Sequence, residues 1–279
     1  PLALGYPAAG RIVELGEGVR DLTIGQAVAC AGAGYAAHAE YIAVPRNLVA
    51  PVPEGVSFEE AAATTVATIA LHGFRLGEPT LGETVCVIGL GIVGLFCVQI
   101  AHAAGCRVIG IDLEDDRLGH AGRLGADLTL NATQGAPALA AAVMQATQGR
   151  GADVVLVAAA TESSEPMTTA TSVARDRARV VMVGAVGMEL ARAPFFKKEV
   201  SFSVSRSYGP GRYDPAYEEG GADYPIGYVR WTEGRNMEAV LDLMRAGDLR
   251  LGPLISHRFD IDAAEKAYDL IAGGATDSL

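Results

Sequence analysis

A strand-like run followed by three glycines constrains the fold of this chain more than any other stretch does. Residues 85–88 are apolar and rich in β-branched side chains, as in a buried strand, and residues 89–94 read G-x-G-x-x-G. An apolar helix is predicted to follow from residue 95 and to end near Gly105, since glycine is common just past helix ends. Strand, glycine turn and helix in this order predict an α/β domain whose turn binds a dinucleotide.

Each glycine of the motif has its own predicted task. Gly89 allows a sharp turn, Gly91 lets backbone N–H groups approach a pyrophosphate, and Gly94 lets the helix pack close to the strand. The phosphates would then lie at the positive N-terminal end of the helix. All six residues of the turn are predicted to contact the cofactor: Gly89, Leu90, Gly91, Ile92, Val93 and Gly94. The alternative is a glycine-rich turn that binds nothing.

An acidic residue ends the second predicted strand, which covers residues 107–111. Asp112 lies 23 residues after Gly89, close to the interval at which a carboxylate binds a ribose hydroxyl in such folds. A carboxylate repels a 2′-phosphate, and the first cationic residue after it is Arg117. We therefore predict NAD(H) rather than NADP(H) as the cofactor.

Composition argues against several classes of partner. The 279 residues carry a net charge of −11 without a basic block, which argues against nucleic acid. No apolar run reaches the roughly 20 residues that span a bilayer, so no membrane association is predicted. The cysteines form no C-x-x-C pair, and we expect them to be buried, reduced thiols of a cytoplasmic protein: Cys30, Cys86, Cys97 and Cys106.

The pattern of predicted elements changes along the chain. Short strand-like runs joined by Gly and Pro turns suggest a small β-barrel-like region over residues 1–54. These runs cover residues 10–16, 26–30 and 38–45. A capping box at Ser57 and Glu60 then begins a helix that reaches about Gly73. From Thr84 onwards strands alternate with helices, which predicts a doubly wound parallel sheet with right-handed crossovers.

A β-rich region, a dinucleotide-binding core and a return element follow one another in an order that resembles the medium-chain dehydrogenase/reductase superfamily. The likeness covers essentially the whole chain. Besides the glycine motif it rests on short segments: residues 9–19, 24–28, 39–41, 51–53 and 124–127. The resemblance implies an α/β Rossmann domain over residues 73–247. It also implies a partial GroES-like β-barrel catalytic domain, incomplete at both ends, over residues 1–72 and 248–279.

Two further segments narrow the resemblance. Residues 205–214 (SRSYGPGRYD) and 230–236 (RWTEGRN) look like the zinc-independent subgroup that contains bacteriochlorophyllide-type dehydrogenases. They look still more like the first half of bi-domain oxidoreductases, in which a glucose–fructose-oxidoreductase-like domain follows. The resemblance thus implies a segment of a longer chain, a fused C-terminal oxidoreductase domain and, as is common in the family, a homodimer.

The family's zinc ligands are not matched in this chain. Zinc-dependent members carry Gly-His-Glu where this chain has Gly5-Tyr6-Pro7, and neither a phenol nor a proline is a good zinc ligand. The position of a further cysteine ligand maps near Thr64. The loop between Cys30 and Tyr35 is too short for the family's four-cysteine structural zinc lobe. We therefore expect no zinc site within this segment.

Without a metal, a side chain must handle the proton of a hydride transfer. Tyr6 is the first candidate because it replaces a ligand that would face the nicotinamide, and His72 is the second; either could instead be a packed residue. The resemblance places Thr68 by the nicotinamide. Three residues that follow predicted strands would line the cofactor: Ala158, Gly184 and Val186. A last cluster either binds an anionic or sugar-like substrate or shapes a subunit or domain contact: Arg206, Tyr208, Arg212 and Tyr213.

These observations predict a zinc-independent, NAD(H)-dependent medium-chain alcohol dehydrogenase or carbonyl reductase. Its substrate would be a small hydroxyl or carbonyl compound, sugar-like or cyclic. A quinone or enoyl reductase that uses NADPH is one alternative, against which Asp112 argues. The other alternative is a cofactor-binding half of a larger protein without turnover, which the loss of the metal ligands keeps open.

Overall fold

The computed structural model describes residues 4–273, and these residues form two compact units. The first unit comprises residues 4–65, 213–224 and 237–273, and the second comprises residues 66–212 and 225–236. The domain bounds drawn from the sequence stay a prediction.

Strands and helices alternate through most of the described chain. The strands are β1 (Pro7–Arg11), β2 (Ala27–Ala31), β3 (Val49–Pro51), β4 (Thr84–Ile88), β5 (Arg107–Asp112), β6 (Leu128–Asn131), β7 (Ala152–Val157), β8 (Ala174–Met182) and β9 (Ser201–Val204). The α-helices are α1 (Phe58–Ala62), α2 (Thr64–Leu76), α3 (Ile92–Ala103), α4 (Asp115–Arg123), α5 (Ala136–Ala146), α6 (Glu165–Val173), α7 (Arg192–Lys198), α8 (Pro215–Glu218), α9 (Glu233–Ala246) and α10 (Ala264–Ala272).

The first unit contains an antiparallel sheet in the order β1-β2-β3. Val28, on the central strand, pairs with Gly10 of β1 and with Pro51 of β3. A small apolar core packs against this sheet: Leu22, Val28, Cys30, Ala36 and Val49. A β-rich beginning of the chain, as the turn-separated apolar runs predict, is therefore present.

Two strand predictions in this unit are wrong in detail. Residues 38–45 form no strand, because the His38 N–H donates to the Leu4 carbonyl at 2.9 Å instead of joining a ladder. Tyr41 in this segment is 76% exposed, so the alternation of residue types has no buried face behind it. Of the strand predicted over residues 10–16, only Gly10 and Arg11 belong to β1, and the backbone hydrogen bonds of Ile12 to Gln26 and Gly25 continue the pairing by one residue.

The second unit contains six parallel strands in the order β6-β5-β4-β7-β8-β9, which confirms the doubly wound sheet. All five residues of β4 are buried, as expected for a strand covered on both faces. On one face, residues of five strands pack against α5 and α6. The strand residues of this core include Cys86, Ile88, Ile109, Ile111, Val155, Val157 and Val180.

The cysteines match the expectation drawn from the sequence in burial and in redox form. Each of the four is buried and none forms a disulfide. Burial raises the pKa of Cys86 and of Cys97 to about 12, so both are unreactive neutral thiols. The cytoplasmic location inferred from them stays a prediction. Within residues 4–273, every helix is too short or too polar to cross a bilayer.

Candidate cofactor site

The glycine turn lies at the carboxyl end of β4, in the middle of the second unit's sheet. β4 pairs with β5 on one side and with β7 on the other. The chain runs outward from β4 through β5 to β6, and then returns to continue through β7, β8 and β9. Open α/β sheets bind ligands beyond the strand ends at such a reversal of strand order.

The three glycines of the turn serve two different purposes. Gly89 has a φ of +89°, and a Cβ there would lie 2.5 Å from the Ala159 backbone nitrogen. A Cβ on Gly94 would overlap the carbonyl oxygen of Gly89. Gly91 is the N-cap of α3, and no heavy atom lies within 4 Å of the position its Cβ would take. The first and third glycines allow close packing, whereas the second leaves open space at a helix N-terminus, where a phosphate fits.

Asp112 ends β5 and is 7% exposed. Its carboxylate accepts hydrogen bonds from the backbone N–H of Leu90 at 2.5 Å and from that of Glu114 at 3.0 Å. The side chain predicted to bind a ribose therefore also holds the glycine turn against the end of β5. This second task has no sequence signal, because it depends on the pairing of β4 with β5.

Arg117 changes the charge balance at this carboxylate. Its Nη1 lies 3.8 Å from Asp112 Oδ1. Arg117 lies five residues after Asp112 in the sequence, but the first turn of α4 brings its side chain back to the Asp112 carboxylate. The repulsion that Asp112 exerts on a 2′-phosphate is therefore partly offset.

The residues predicted to line the cofactor have different surroundings. The Ala158 N–H donates to the Ile88 carbonyl at 2.8 Å, and a Cβ on Gly184 would overlap the Ala159 carbonyl oxygen. These contacts draw the ends of β4, β7 and β8 together beside the glycine turn. Val186 packs against the apolar core, and Thr68 is fully buried on α2. Contact with a cofactor stays a prediction for all of them.

The two candidate proton donors lie in different units. Tyr6 immediately precedes β1 in the first unit and is 43% exposed, and its backbone carbonyl accepts from the Gly32 N–H at 3.0 Å. His72 lies on α2 in the second unit. Burial, and then the charges of Arg206 and Arg75, lower the pKa of His72 to about 4. His72 is therefore uncharged at neutral pH and has no proton to give as an imidazolium.

The cluster predicted after β9 is only partly brought together. Arg206, Tyr208 and Arg212 belong to the second unit, and the Arg212 guanidinium carbon lies 5.4 Å from the centroid of the Tyr208 ring. Tyr208 is 3% exposed, so its ring is part of the packing. Tyr213 belongs to the first unit and is 63% exposed.

A cationic group that the sequence does not predict surrounds Trp231, the single tryptophan of the chain. The guanidinium carbons of Arg75 and Arg230 lie 3.3 Å and 3.7 Å from the centroid of its ring. The Arg230–Trp231 dipeptide could have signalled half of this arrangement, because arginine stacks well on indole. Arg75 lies too far away in the sequence to be linked to it.

Two protein families match this chain. The zinc-binding dehydrogenase family matches residues 93–219, and the alcohol dehydrogenase GroES-like domain matches residues 1–54. These two matches support membership of the medium-chain dehydrogenase/reductase superfamily. The relatives are named dehydrogenases and reductases, so the chain is an oxidoreductase, and both the Rossmann-type sheet and the GroES-like first part expected from the sequence are confirmed.

The relatives of this chain include polyol dehydrogenases. Sorbitol dehydrogenase 1 of Saccharomyces cerevisiae is 28% identical, over 96% of this chain and 78% of the relative. Galactitol 1-phosphate 5-dehydrogenase of Escherichia coli is 27% identical, over 99% of this chain and 82% of the relative. The crystal structure of galactitol-1-phosphate dehydrogenase from Escherichia coli matches all of this chain and 83% of its own, at a TM-score of 0.84 and 25% identity.

The described residues of this chain do not fit the metal site that the name of the zinc-binding dehydrogenase family implies. Within the described part of the chain, no three His, Cys, Asp or Glu side chains converge to hold a metal ion. Gly5-Tyr6-Pro7 offers only a phenol, and Thr64 is a buried hydroxyl residue. No zinc chemistry is therefore assigned to residues 4–273.

Proposed function

We propose that this chain transfers a hydride between NAD(H) and a secondary hydroxyl or carbonyl group of a polyol-like substrate, without zinc among its own residues. The observation that carries the proposal is the pairing of an open Gly91 with a buried Asp112 at the reversal point of the sheet. The names of the relatives, which include sorbitol dehydrogenase and D-xylulose reductase, support a sugar-like or cyclic alcohol as substrate.

The chain's own residues supply binding and proton transfer. The N-terminus of α3 attracts a pyrophosphate, and Asp112 accepts hydrogen bonds from ribose hydroxyls. Bound nicotinamide would supply the hydride acceptor. Tyr6 is proposed to donate a proton to the developing alkoxide during carbonyl reduction, and its position in the Gly5-Tyr6-Pro7 motif supports this.

Turnover of the full-length protein with polyols tests the proposal. We expect NAD⁺-linked oxidation of at least one member of a panel of sorbitol, xylitol and galactitol, and the reverse reaction with the matching ketose. Activity should survive dialysis against a chelator. Stoichiometric zinc that is required for turnover would contradict the metal-free part of the proposal, while leaving the cofactor part intact.

The role of Tyr6 is tested by removal of its hydroxyl. Tyr6→Phe should lower kcat about 10²-fold or more, because general-acid catalysis contributes about 10²–10⁴. NADH affinity should not change, since the substitution removes a proton donor and not a cofactor contact. Tyr41→Phe, at an exposed tyrosine of the same unit, is the matched control and should retain full activity. Full activity of Tyr6→Phe would exclude Tyr6 as the donor.

A second candidate function is favoured by Arg117. Because its guanidinium lies 3.8 Å from Asp112, a 2′-phosphate would meet a cation as well as an anion, and NADPH-linked reduction of a quinone or enone becomes chemically reasonable. A measured preference for NADPH, together with turnover of quinones and not polyols, would establish this function in place of the first.

A further inference from the structure

A group of cations surrounds Trp231 in the second unit. The guanidinium carbons of Arg75 and Arg230 lie 3.3 Å and 3.7 Å from the centroid of the indole ring. Both separations are those of direct stacking, and one ring face has no room for two guanidinium groups at such distances. The two arginines therefore lie on opposite faces, and the indole holds their charges at a fixed spacing.

The ionisation of neighbouring groups shows that the local field is positive. Burial, and then the charges of Arg206 and Arg75, lower the pKa of His72 to about 4. Burial, and then the charge of Arg230, lower the pKa of Arg75 to about 10. The stacked guanidinium groups of Arg75 and Arg230 repel one another, and an anion bound beside them would offset that repulsion.

The segments that carry these cations are fastened to one another. Gly209, in the loop that follows Arg206, approaches α2 and α9 so closely that a Cβ would lie 3.3 Å from His72 Nδ1 and 2.8 Å from Asn236 Nδ2. The Asn236 side-chain amide donates to the Tyr208 carbonyl at 3.1 Å. The loop after Arg206 is therefore packed tightly against α2 and α9.

Arg75 and Arg230 keep hydrogen-bond donors available. The Arg75 Nε is buried and makes no hydrogen bond to any residue between positions 4 and 273. Neither of these two arginines forms a salt bridge within that part of the chain. Stacking on indole occupies the guanidinium faces and leaves the N–H groups at the edges. Buried donors without partners are rare in proteins and indicate a missing ligand or water.

We propose that Arg75 and Arg230 bind a doubly charged phosphoryl group beside the Trp231 ring. Planar guanidinium groups match phosphate oxygens in paired hydrogen bonds, which makes arginine the preferred residue for this chemistry. The two guanidinium charges match the charge of a phosphate dianion. The site concerns anion binding alone and goes beyond the proposed hydride transfer.

Calorimetric titration of the full-length protein with inorganic phosphate, in the presence of saturating NADH, tests the site. NADH fills the glycine turn, so phosphate that still binds must bind elsewhere. Saturable binding should weaken about tenfold or more in Arg230→Gln, which removes one exposed charge. Arg192→Gln is the matched control, because Arg192 also stacks on an aromatic ring (Phe196, 4.3 Å) but stands alone. It should bind phosphate as the parent protein does.

A second variant distinguishes a loss of phosphate binding from a loss of folding. Arg75→Lys keeps the charge but loses the planar donors, and it should also weaken phosphate binding while its thermal melting stays close to that of the parent. No saturable phosphate binding, or binding that NADH abolishes and Arg230→Gln leaves unchanged, would overturn the proposal. Acetate binding as tight as phosphate would overturn the assignment to a dianion.

The same titration distinguishes two sources of the phosphoryl group. Sorbitol 6-phosphate that binds tighter than inorganic phosphate, with sorbitol itself unaffected by Arg230→Gln, would assign the site to the phosphate of a substrate. Equal affinities for sorbitol 6-phosphate and inorganic phosphate would assign it to free phosphate. Either result supports a phosphoryl site.

Discussion

Gly94 lies so close to Gly89 that a Cβ at position 94 would overlap the carbonyl oxygen of Gly89. The first turn of α3 is thereby pressed against the end of β4, and no side chain fits between them. This contact fixes the direction in which the helix N-terminus points.

Gly94→Ala should destabilise the protein by about 3 kcal/mol, because the clash involves backbone atoms that cannot rotate away. Gly122→Ala is the matched control: this glycine lies exposed on α4 with no heavy atom within 4 Å of a Cβ. It should be neutral or stabilise by up to about 1 kcal/mol. Urea unfolding of both variants measures the difference, and equal stabilities would refute the packing argument.

Gly91→Ala should separate binding from folding. Its Cβ would enter open space, and its φ of −65° suits alanine, so the free energy of unfolding should hardly change. The added methyl group would occupy the space where a phosphate approaches, and we expect NADH affinity to fall about tenfold. Fluorescence titration with NADH checks this. An alanine variant that binds NADH as tightly as the parent would show that the pyrophosphate does not bind at this turn.

Arg117→Gln should sharpen the preference for NADH over NADPH. Removal of the cation next to Asp112 leaves the carboxylate charge uncompensated, so NADPH affinity should fall about tenfold while NADH affinity changes little. Asp112→Ser should lower the preference for NADH over NADPH, because it removes the negative charge and leaves Arg117. Affinities for both cofactors should be measured at fixed ionic strength, and an unchanged ratio in both variants would contradict a role for this pair.

His72 should make stability depend on pH in a definite window. Its pKa falls from 6.5 to about 4 on folding, so between these values the unfolded chain takes up a proton that the folded chain does not. The contribution of His72 to the free energy of unfolding is complete above about pH 6.5 and is lost as the pH falls towards 4. At pH 5 the loss should be about 1–2 kcal/mol, after allowance for partial exposure.

Urea unfolding of the parent and of His72→Gln at pH 7 and pH 5 measures this contribution, since glutamine does not titrate. In Arg206→Gln, the pKa of His72 measured by NMR should rise towards 6.5, because one of the charges that lower it is gone. A pKa of His72 near 6.5 in the parent protein would refute the burial argument.

The parts of the fold that sequence predicts well are those whose signals are local. β4, the glycine turn, α3 and β5 follow one another within the 29 residues numbered 84–112, and each is marked by its own apolar run or glycine. β6 and α5 lacked such marks: β6 has only four residues, and α5 is alanine-rich without a strong apolar stripe. Their existence depends on the sheet and core that they complete.

In the candidate site, too, only the features with local sequence signals were predictable. The glycine spacing and Asp112 could be read from the chain, but the return of Arg117 to Asp112 requires the start of α4 in three dimensions. The stacking of Arg75 on Trp231 joins residues from distant segments, and no periodicity links them. Residues 38–45 show the converse: a strand-like pattern without a partner strand does not make a strand.

The first unit consists of three separate segments of the chain, so its parts are synthesised on the ribosome at different times. Glu59 and Arg258, 199 residues apart, form a salt bridge within that unit, and the Tyr268 hydroxyl meets His38 Nδ1 at 3.1 Å. At about 5–20 residues per second, Arg258 is synthesised on the order of 10–40 seconds after Glu59. The whole second unit, residues 66–212 and 225–236, is translated in that interval, so the second unit can be complete before the first.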